Sequence, residues 1–139
     1  MSELRPEITP DSFMKLQAGT LPDLLGLEIL EIGEGRLTGR MKVERRHHAP
    51  NGFLHAASIV ALADTCAGYA TVAHLPKGAK GFTTIELKTN FFGTALAGHV
   101  HCTTTSKHRG RTTQVWDSEV FNDAGKLIAS FRCTQMVLV

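Results

Sequence analysis

Residues 56–75 read AASIVALADTCAGYATVAHL, a stretch of small and apolar side chains with a single acid, Asp64, and no lysine or arginine. The run of Pro76, Lys77 and Gly78 that follows is typical of the end of a helix. A helix that is apolar on almost every side needs to be buried on almost every side. The stretch therefore predicts one long helix at the centre of the fold.

The segments on both sides of this helix alternate apolar and polar residues, as strands do. Two of them precede the helix and are joined by the hairpin turn Gly33-Glu34-Gly35, and four follow it. A short helix is expected to begin at Thr9-Pro10-Asp11, with a turn at 21–27 and a loop at 47–55. This order predicts an α+β fold, an antiparallel sheet wrapped around one long central helix. The predicted strands are 27–32, 37–43, 82–92, 99–106, 112–121 and 127–139.

The composition favours one ordinary folded domain, 1–139, whose first nine residues are expected to be loose. Hydrophobic residues make up 42% and the net charge is only +2, which excludes a disordered chain and gives no reason to expect nucleic acid. Ser58 and Asp64 interrupt the apolar run, so no membrane-spanning segment is expected. The three cysteines lack a CxxC spacing, which argues against disulfides and structural zinc. Because no signal peptide is recognisable, a cytoplasmic location is expected.

Asp64 is the first candidate for chemistry, because an unpaired carboxylate is costly to bury and this helix has no obvious polar face. In a cleft, burial tunes the pKa of a carboxyl group so that it can act as a general base or a nucleophile. The alternative is a structural aspartate that points to solvent or hydrogen-bonds a nearby threonine. Cys66, two residues further on, is expected to be an inert buried thiol.

The start of the helix offers a second chemical feature. Its free backbone N–H groups, at Ala56 and Ala57, and the positive end of its dipole favour a developing oxyanion. His55 precedes Asp64 by nine residues, which at about 100° each place the two on opposite sides of the helix. The two side chains can therefore meet only across a dimer or through a substrate. The alternative for His55 is a histidine that caps the helix or packs in the loop.

A compact basic turn, Lys107-His108-Arg109-Gly110-Arg111, lies between two predicted strands. Arginine is well shaped for phosphate, so the turn is a candidate contact for substrate phosphates. A solvated hairpin is the plainer explanation. His47, His48 and His55 have no cysteine or carboxylate at ligand spacing, so no metal or other cofactor is expected.

One continuous segment resembles a known family. Gly52-Phe53-Leu54-His55-Ala56-Ala57-Ser58-Ile59-Val60-Ala61-Leu62-Ala63-Asp64-Thr65 is similar to the G-x-x-H-G-G-x-x-x-x-L-x-D signature of hotdog-fold acyl-CoA thioesterases, of the phenylacetate-degradation (PaaI) type. The likeness runs from about residue 20 to the end, through Thr83-Thr84-Ile85-Glu86-Leu87 and the turns at 109–111 and 123–129.

The resemblance implies roles for four residues. Asp64 matches the catalytic acid, and His55 matches the signature histidine. Ala56 matches the glycine whose backbone N–H polarises the thioester carbonyl. Thr84 matches a hydroxyl residue that helps to place the nucleophilic water. In similar proteins the acid and the oxyanion donor come from opposite protomers.

The sequence departs from the family pattern at two places. Ala56-Ala57 replaces the Gly-Gly pair, which keeps the backbone N–H but makes the oxyanion site tighter. Ala49 stands where the family has Asn or Gln, six residues before the histidine. Either Asn51 takes over that role through a shifted loop, or the role is missing.

The sequence thus predicts an acyl-CoA thioesterase, in which Asp64 activates water or attacks the thioester and the turn at 107–111 holds CoA phosphates. The alternative is a non-catalytic acyl-CoA binding module that keeps the fold and the pocket. A hotdog hydratase is less expected, because its histidine–acid spacing is not seen. A homodimer with two central helices side by side, paired again into a homotetramer, is expected because one small sheet cannot cover the helix. Neither nucleic acid nor a membrane is an expected partner, and the acyl group stays open.

Overall fold

The computed structural model describes residues 1–139. Its strands are β1 (Leu27–Gly33), β2 (Arg36–Lys42), β3 (Gly81–Phe91), β4 (His99–Arg109), β5 (Thr113–Phe121) and β6 (Leu127–Leu138). Its helices are α1 (Pro10–Leu16), α2 (Leu21–Leu24) and α3 (Ala56–Ala73), and a 3-10 turn covers Arg45–His47. All six strands pair antiparallel in one sheet, in the order β1-β2-β4-β5-β6-β3, and α3 packs on it. The predicted α+β architecture is confirmed.

The local sequence signals at the helices explain where they begin. The Thr9 hydroxyl accepts the N–H of Ser12 (3.2 Å) and caps α1, as predicted. The segment 21–27 was expected to be a turn, but α2 forms its first half. Pro22 lies in the first turn of α2, where its missing N–H has no intrahelical partner to lose.

Helix α3 presents one face to the sheet, where ten of its 18 residues are buried. Val60, Ala61, Asp64 and Thr65 on its other side are only partly covered within one chain. Within a single chain the helix is covered on one face, because one sheet covers one face, so burial on almost every side stays a prediction that needs a second chain. The remaining face is apolar surface that a second molecule could cover.

By length and composition alone, α3 is apolar enough to cross a membrane, with a mean hydropathy of 1.4. The expectation that Ser58 and Asp64 exclude such a segment is wrong, because two polar residues leave the average of 18 residues apolar. Inside the domain, 56% of the helix is buried, which is typical of the central helix of a folded core.

Two contacts fix the position of α3 on the sheet. The Ser118 hydroxyl on β5 donates to the carbonyl oxygen of Ala63 (2.9 Å), immediately before Asp64. Gly39 on β2 leaves room for the helix, since a Cβ there would stand 2.8 Å from the Cys66 sulfur. The position of Asp64 is thus set by the sheet beneath it.

Strand β3 is an edge strand with little cover. Its residues 83–88 are all exposed, including the apolar side chains Ile85 and Leu87. An exposed apolar edge offers unpaired backbone groups to another strand. Phe82 of β3 lies against Gly68 of α3, so this edge strand runs beside the central helix.

The first nine residues, expected to be loose, lie against the domain. The N–H of Ser2 donates to the Arg109 carbonyl (3.0 Å) and that of Arg5 to the Ala73 carbonyl (2.8 Å). Leu4 and Ile8 pack against the core. Backbone hydrogen bonds to β4 and to the end of α3 therefore attach this segment to the fold.

Candidate active site

The N-terminus of α3 is exposed and has one unused donor. His55 is the N-cap residue, and its Nδ1 accepts the N–H of Ala57 at 2.9 Å. The N–H of Ala56 has no hydrogen-bond partner in the chain. The capping interpretation of His55 is thus confirmed, and its cap leaves Ala56 as the free donor at the positive end of the helix dipole.

Asp64 lies two turns further along α3, on its half-buried side. The carboxylate makes no hydrogen bond, and its Oδ1 is buried without a partner. Burial raises the pKa of Asp64 above its usual value of 3.8. A threonine partner for Asp64 is absent, and the carboxylate is partly desolvated, which makes it a stronger base than a solvated aspartate.

The strand that lies close to Asp64 can be identified from the pKa of a neighbouring thiol. Burial, and then the negative charge of Asp64, raise the pKa of Cys133 on β6 to about 12. Cys133 pairs with Leu87 of β3 on one side and with Trp116 of β5 on the other. The Asp64 carboxylate therefore lies close to β6, the strand that joins the edge strand β3 to the rest of the sheet.

Thr84 is placed on the same face of that edge. It pairs with Gln135 of β6, which is fully buried beneath α3, and directly paired residues point to the same side of a sheet. Thr84 itself is exposed. Its hydroxyl is accordingly available on the exposed edge strand β3.

Asp64 and Ala56 do not meet within one chain. Eight residues separate them on one straight helix, which amounts to about 12 Å along its axis. A thioester carbonyl held by the Ala56 N–H is therefore out of reach of the Asp64 carboxylate of the same chain. Within one chain, the fold thus does not bring these two groups together.

An apolar cavity of about 350 Å³ opens beside the free N–H of Ala56. Phe53 and Phe91 are its large exposed side chains. The other lining residues are Leu54, Ala56, Ile59, Gly93 and Thr94. This cavity could not be predicted from the sequence, because Phe53 and Phe91 come from a loop and a strand 38 residues apart that only the fold brings together.

The Asn51 side chain takes part in the structure of the loop before the helix. The Asn51 Oδ1 accepts the N–H of Phe53 (3.2 Å), an Asx turn that serves the loop itself. Gly52 follows with φ +89°, a conformation that favours glycine. Ala49 donates its N–H to the Phe53 carbonyl (2.7 Å). Asn51 is thus engaged locally and is exposed.

The five residues of the basic turn at 107–111 are not all available for the predicted phosphate contact. Arg109 is buried, and its guanidinium donates to Glu34 (2.8 Å) and to the Ser2 carbonyl (2.9 Å). The Lys107 ammonium lies 3.5 Å from the Asp117 carboxylate. Gly110 closes the turn with its N–H on Thr113. Of the five predicted residues, only His108 and Arg111 remain exposed without an ion pair.

Replacing Arg109 by alanine should therefore affect stability rather than substrate binding. The loss of the Glu34 and Ser2 contacts is expected to lower the free energy of unfolding by about 1–3 kcal/mol. Chemical denaturation measures this change, and hydrogen exchange at residues 2–4 should become faster. A raised KM for acyl-CoA with unchanged stability would instead restore Arg109 to the substrate site.

The remaining candidates for chemistry are structural. Cys66 is fully buried, and its hydrogen bond with the Cys102 thiol together with burial raises the pKa of Cys66, as expected for an inert thiol. His47 is buried and satisfied, with Nδ1 on the Glu44 N–H and Nε2 at 2.8 Å from the Leu25 carbonyl. No three side chains of His, Cys, Asp or Glu are grouped closely enough to bind a metal ion.

Sequence comparison identifies the part of the chain that carries this site. The profile of the thioesterase superfamily matches residues 51–129, from the loop before α3 into β6. A 1,4-dihydroxy-2-naphthoyl-CoA hydrolase from Escherichia coli (strain K12) is 29% identical over 135 residues, covering 95% of this chain and 96% of that protein.

Solved structures agree with the sequence comparison. A mutant thioesterase PA1618 from Pseudomonas aeruginosa superposes with a TM-score of 0.92 at 29% identity, covering 97% of both chains. The E. coli PaaI protein from the phenylacetic acid degradation operon gives a TM-score of 0.82 at 22% identity. This superposition covers 92% of this chain and 91% of the PaaI chain, and the similarity shows the fold alone.

Proposed function

Because this chain belongs to the thioesterase superfamily and is a thioester hydrolase of the hotdog fold, we propose that it hydrolyses acyl-CoA with Asp64 as its catalytic carboxylate. The observation that carries the proposal is the Asp64 Oδ1, buried without a hydrogen-bond partner in the middle of α3. A buried polar atom without a partner costs free energy unless another group meets it. A substrate or its attacking water would be that group.

The proposed reaction uses the ionised carboxylate in one of two ways. Asp64 takes a proton from water as the water attacks the thioester carbonyl, or it attacks the carbonyl itself and water then hydrolyses the anhydride. In both cases the C–S bond breaks, and the CoA thiolate leaves and takes up a proton. Thr84 is proposed to hold the water, since its hydroxyl lies on the open face of β3.

The oxyanion is proposed to form at the N-terminus of α3. The free N–H of Ala56 and the helix dipole would stabilise the negative charge that develops on the carbonyl oxygen. His55 supports this arrangement by capping Ala57, which leaves Ala56 as the donor. Asn51 is proposed to shape the loop rather than to contact the substrate.

The acyl group is proposed to be aromatic. Phe53 and Phe91 line the cavity beside Ala56, and aromatic rings pair favourably with one another. The E. coli relative is named for an aromatic acyl-CoA, which supports the same class of substrate. A panel of acyl-CoA thioesters, assayed by release of the CoA thiol, tests the proposal. We expect kcat/KM for a benzoyl-type substrate to exceed that for acetyl-CoA by about tenfold or more. If no CoA thioester in the panel is hydrolysed, the proposed substrate is wrong.

The active assembly is proposed to be a homodimer, paired again into a homotetramer, of single-domain chains in the cytoplasm. The exposed edge of β3 and the open face of α3 offer an apolar surface that a second copy would cover. Light scattering at micromolar concentration is expected to report a dimer or tetramer. A monomer with full activity under the same conditions would contradict both the assembly and the shared site.

A further inference from the structure

A second cavity, of about 220 Å³, lies in the loop that leads to α3. Arg45, His48, Ala49, Pro50 and Gly52 line it. None of these residues is acidic, and the one charged group is the Arg45 guanidinium. The cavity thus carries a positive charge, which the apolar cavity beside Ala56 does not.

Arg45 has no partner elsewhere in the chain. It is exposed, and its guanidinium makes neither an ion pair nor a side-chain hydrogen bond. The adjacent Arg46, in contrast, is paired with Glu44 at 3.4 Å. The five donors of the Arg45 fork therefore remain available to an anion.

His48 supplies a second, independent sign of a missing ligand. Its Nε2 is buried and has no hydrogen-bond partner. The backbone N–H of His48 donates to the Arg45 carbonyl (3.0 Å), which keeps the two residues together. Both residues line the same cavity, so an anion bound there would lie beside the guanidinium and next to the His48 side chain.

The two cavities lie on either side of one closed loop. His48 forms a β-bridge with Leu54, and Leu54 lines the apolar cavity. The Ser58 hydroxyl donates to the His47 carbonyl (2.8 Å) and fixes the first turn of α3 against the same loop. The positive cavity thus lies in the same part of the fold as Ala56, where the thioester of a bound substrate is proposed to lie.

We propose that the cavity between Arg45 and His48 is an anion subsite that binds a phosphoryl group of the CoA arm of the substrate. The inference rests on the proposed acyl-CoA function and adds to it the residues that recognise phosphate. The phosphoryl group is either the one next to pantetheine or one on the nucleotide, since both offer the same chemistry to Arg45.

Arg111 is the competing candidate, and within one chain it lies at the opposite end of α3 from Ala56. Arg111 lines a small cavity with Pro76, which lies just beyond the C-terminus of α3. The length of α3 separates that end from Ala56 by roughly 27 Å. Arg45 lies beside the loop that enters α3, at the same end as the free N–H.

Calorimetric titration of the full chain with CoA tests the subsite without requiring hydrolysis. The parent is compared with Arg45→Ala and with Arg111→Ala, a matched control that removes another exposed, unpaired arginine. We expect Arg45→Ala to weaken CoA binding by about tenfold, the loss of one charged hydrogen-bonded contact, and Arg111→Ala to change it little. His48→Phe, which keeps a ring but no nitrogen, should weaken CoA binding as well.

Shortened ligands identify the phosphoryl group. If the Arg45→Ala effect persists with 4′-phosphopantetheine, the phosphate next to pantetheine is bound, and if it needs the full nucleotide, a nucleotide phosphate is bound. Pantetheine, without phosphate, should bind both proteins equally. The inference is overturned if Arg45→Ala binds CoA like the parent, if pantetheine shows the same loss, if Arg111→Ala alone weakens binding, or if the parent binds no CoA. Hydrolysis of an acyl-N-acetylcysteamine thioester, which has no phosphate, would show the catalytic function separately.

Discussion

Replacing Asp64 by asparagine is expected to lower kcat for thioester hydrolysis by at least about 100-fold, the lower end for the loss of a general base. The amide keeps the shape of the side chain but neither accepts a proton nor attacks as an anion. CoA binding should persist, because no contact to CoA is assigned to this residue. Steady-state kinetics with one acyl-CoA give the change in kcat and KM.

Acid pH should imitate this substitution in the parent. The reaction needs the ionised carboxylate, and burial raises the pKa of Asp64 above 3.8, so the acidic limb of the kcat profile should lie above that value. A raised pKa in the folded state also means that the ionised group costs stability at higher pH. Asp64→Asn should therefore unfold at an equal or higher temperature than the parent at neutral pH. A variant that hydrolyses at near the parent rate would make Asp64 structural, and a parent that binds acyl-CoA without hydrolysis would be a binding module.

Replacing Ala56 by proline is expected to lower kcat by about 10²–10³-fold, the cost of one oxyanion donor. Proline replaces the N–H hydrogen by the Cδ of its ring, and it is well tolerated at the first position of a helix. His55 has φ −65° and ψ 135°, the extended conformation that the residue before a proline prefers. The helix should therefore fold unchanged, which circular dichroism and thermal unfolding would verify.

Ala56→Ser is the matched control for this substitution. It changes the side chain and keeps the backbone N–H, so its kcat should stay close to that of the parent. If Ala56→Pro folds and retains the parent kcat, the oxyanion is held elsewhere. If serine and proline reduce kcat equally, the side chain at this position matters and the N–H does not.

The periodicity of the sequence was sufficient to predict the sheet and the central helix, and composition was sufficient to single out Asp64. The prediction that failed most clearly concerns Arg109. Strand β4 buries Val100, Cys102 and Thr104, so alternation alone would turn Arg109 outward. A bulge between Ser106 and His108 shifts the alternation by one residue and turns Arg109 inward. Such an insertion leaves no mark in the pattern of apolar residues.

The composition of the cavities could not be predicted for a different reason. Phe53 and Phe91 are distant in the sequence, and Phe53 lies in a loop without apolar alternation. The N–H of Ala56 is free because the His55 side chain accepts the neighbouring N–H, that of Ala57. Residue types indicated that the start of α3 could bind an oxyanion, and only the geometry identifies which N–H is free.

The most direct test of the shared site is complementation between the two inactive variants. Asp64→Asn retains the donor of Ala56, and Ala56→Pro retains the carboxylate, so a mixed dimer contains one intact site if each site uses both chains. Co-expressed with different tags at equal levels, the two variants should recover about one quarter of the parent activity per chain, since half of the dimers are mixed and half of their sites intact. Activity of the mixture no higher than that of the separate variants, with mixed dimers demonstrated by the tags, would contradict a site shared between protomers.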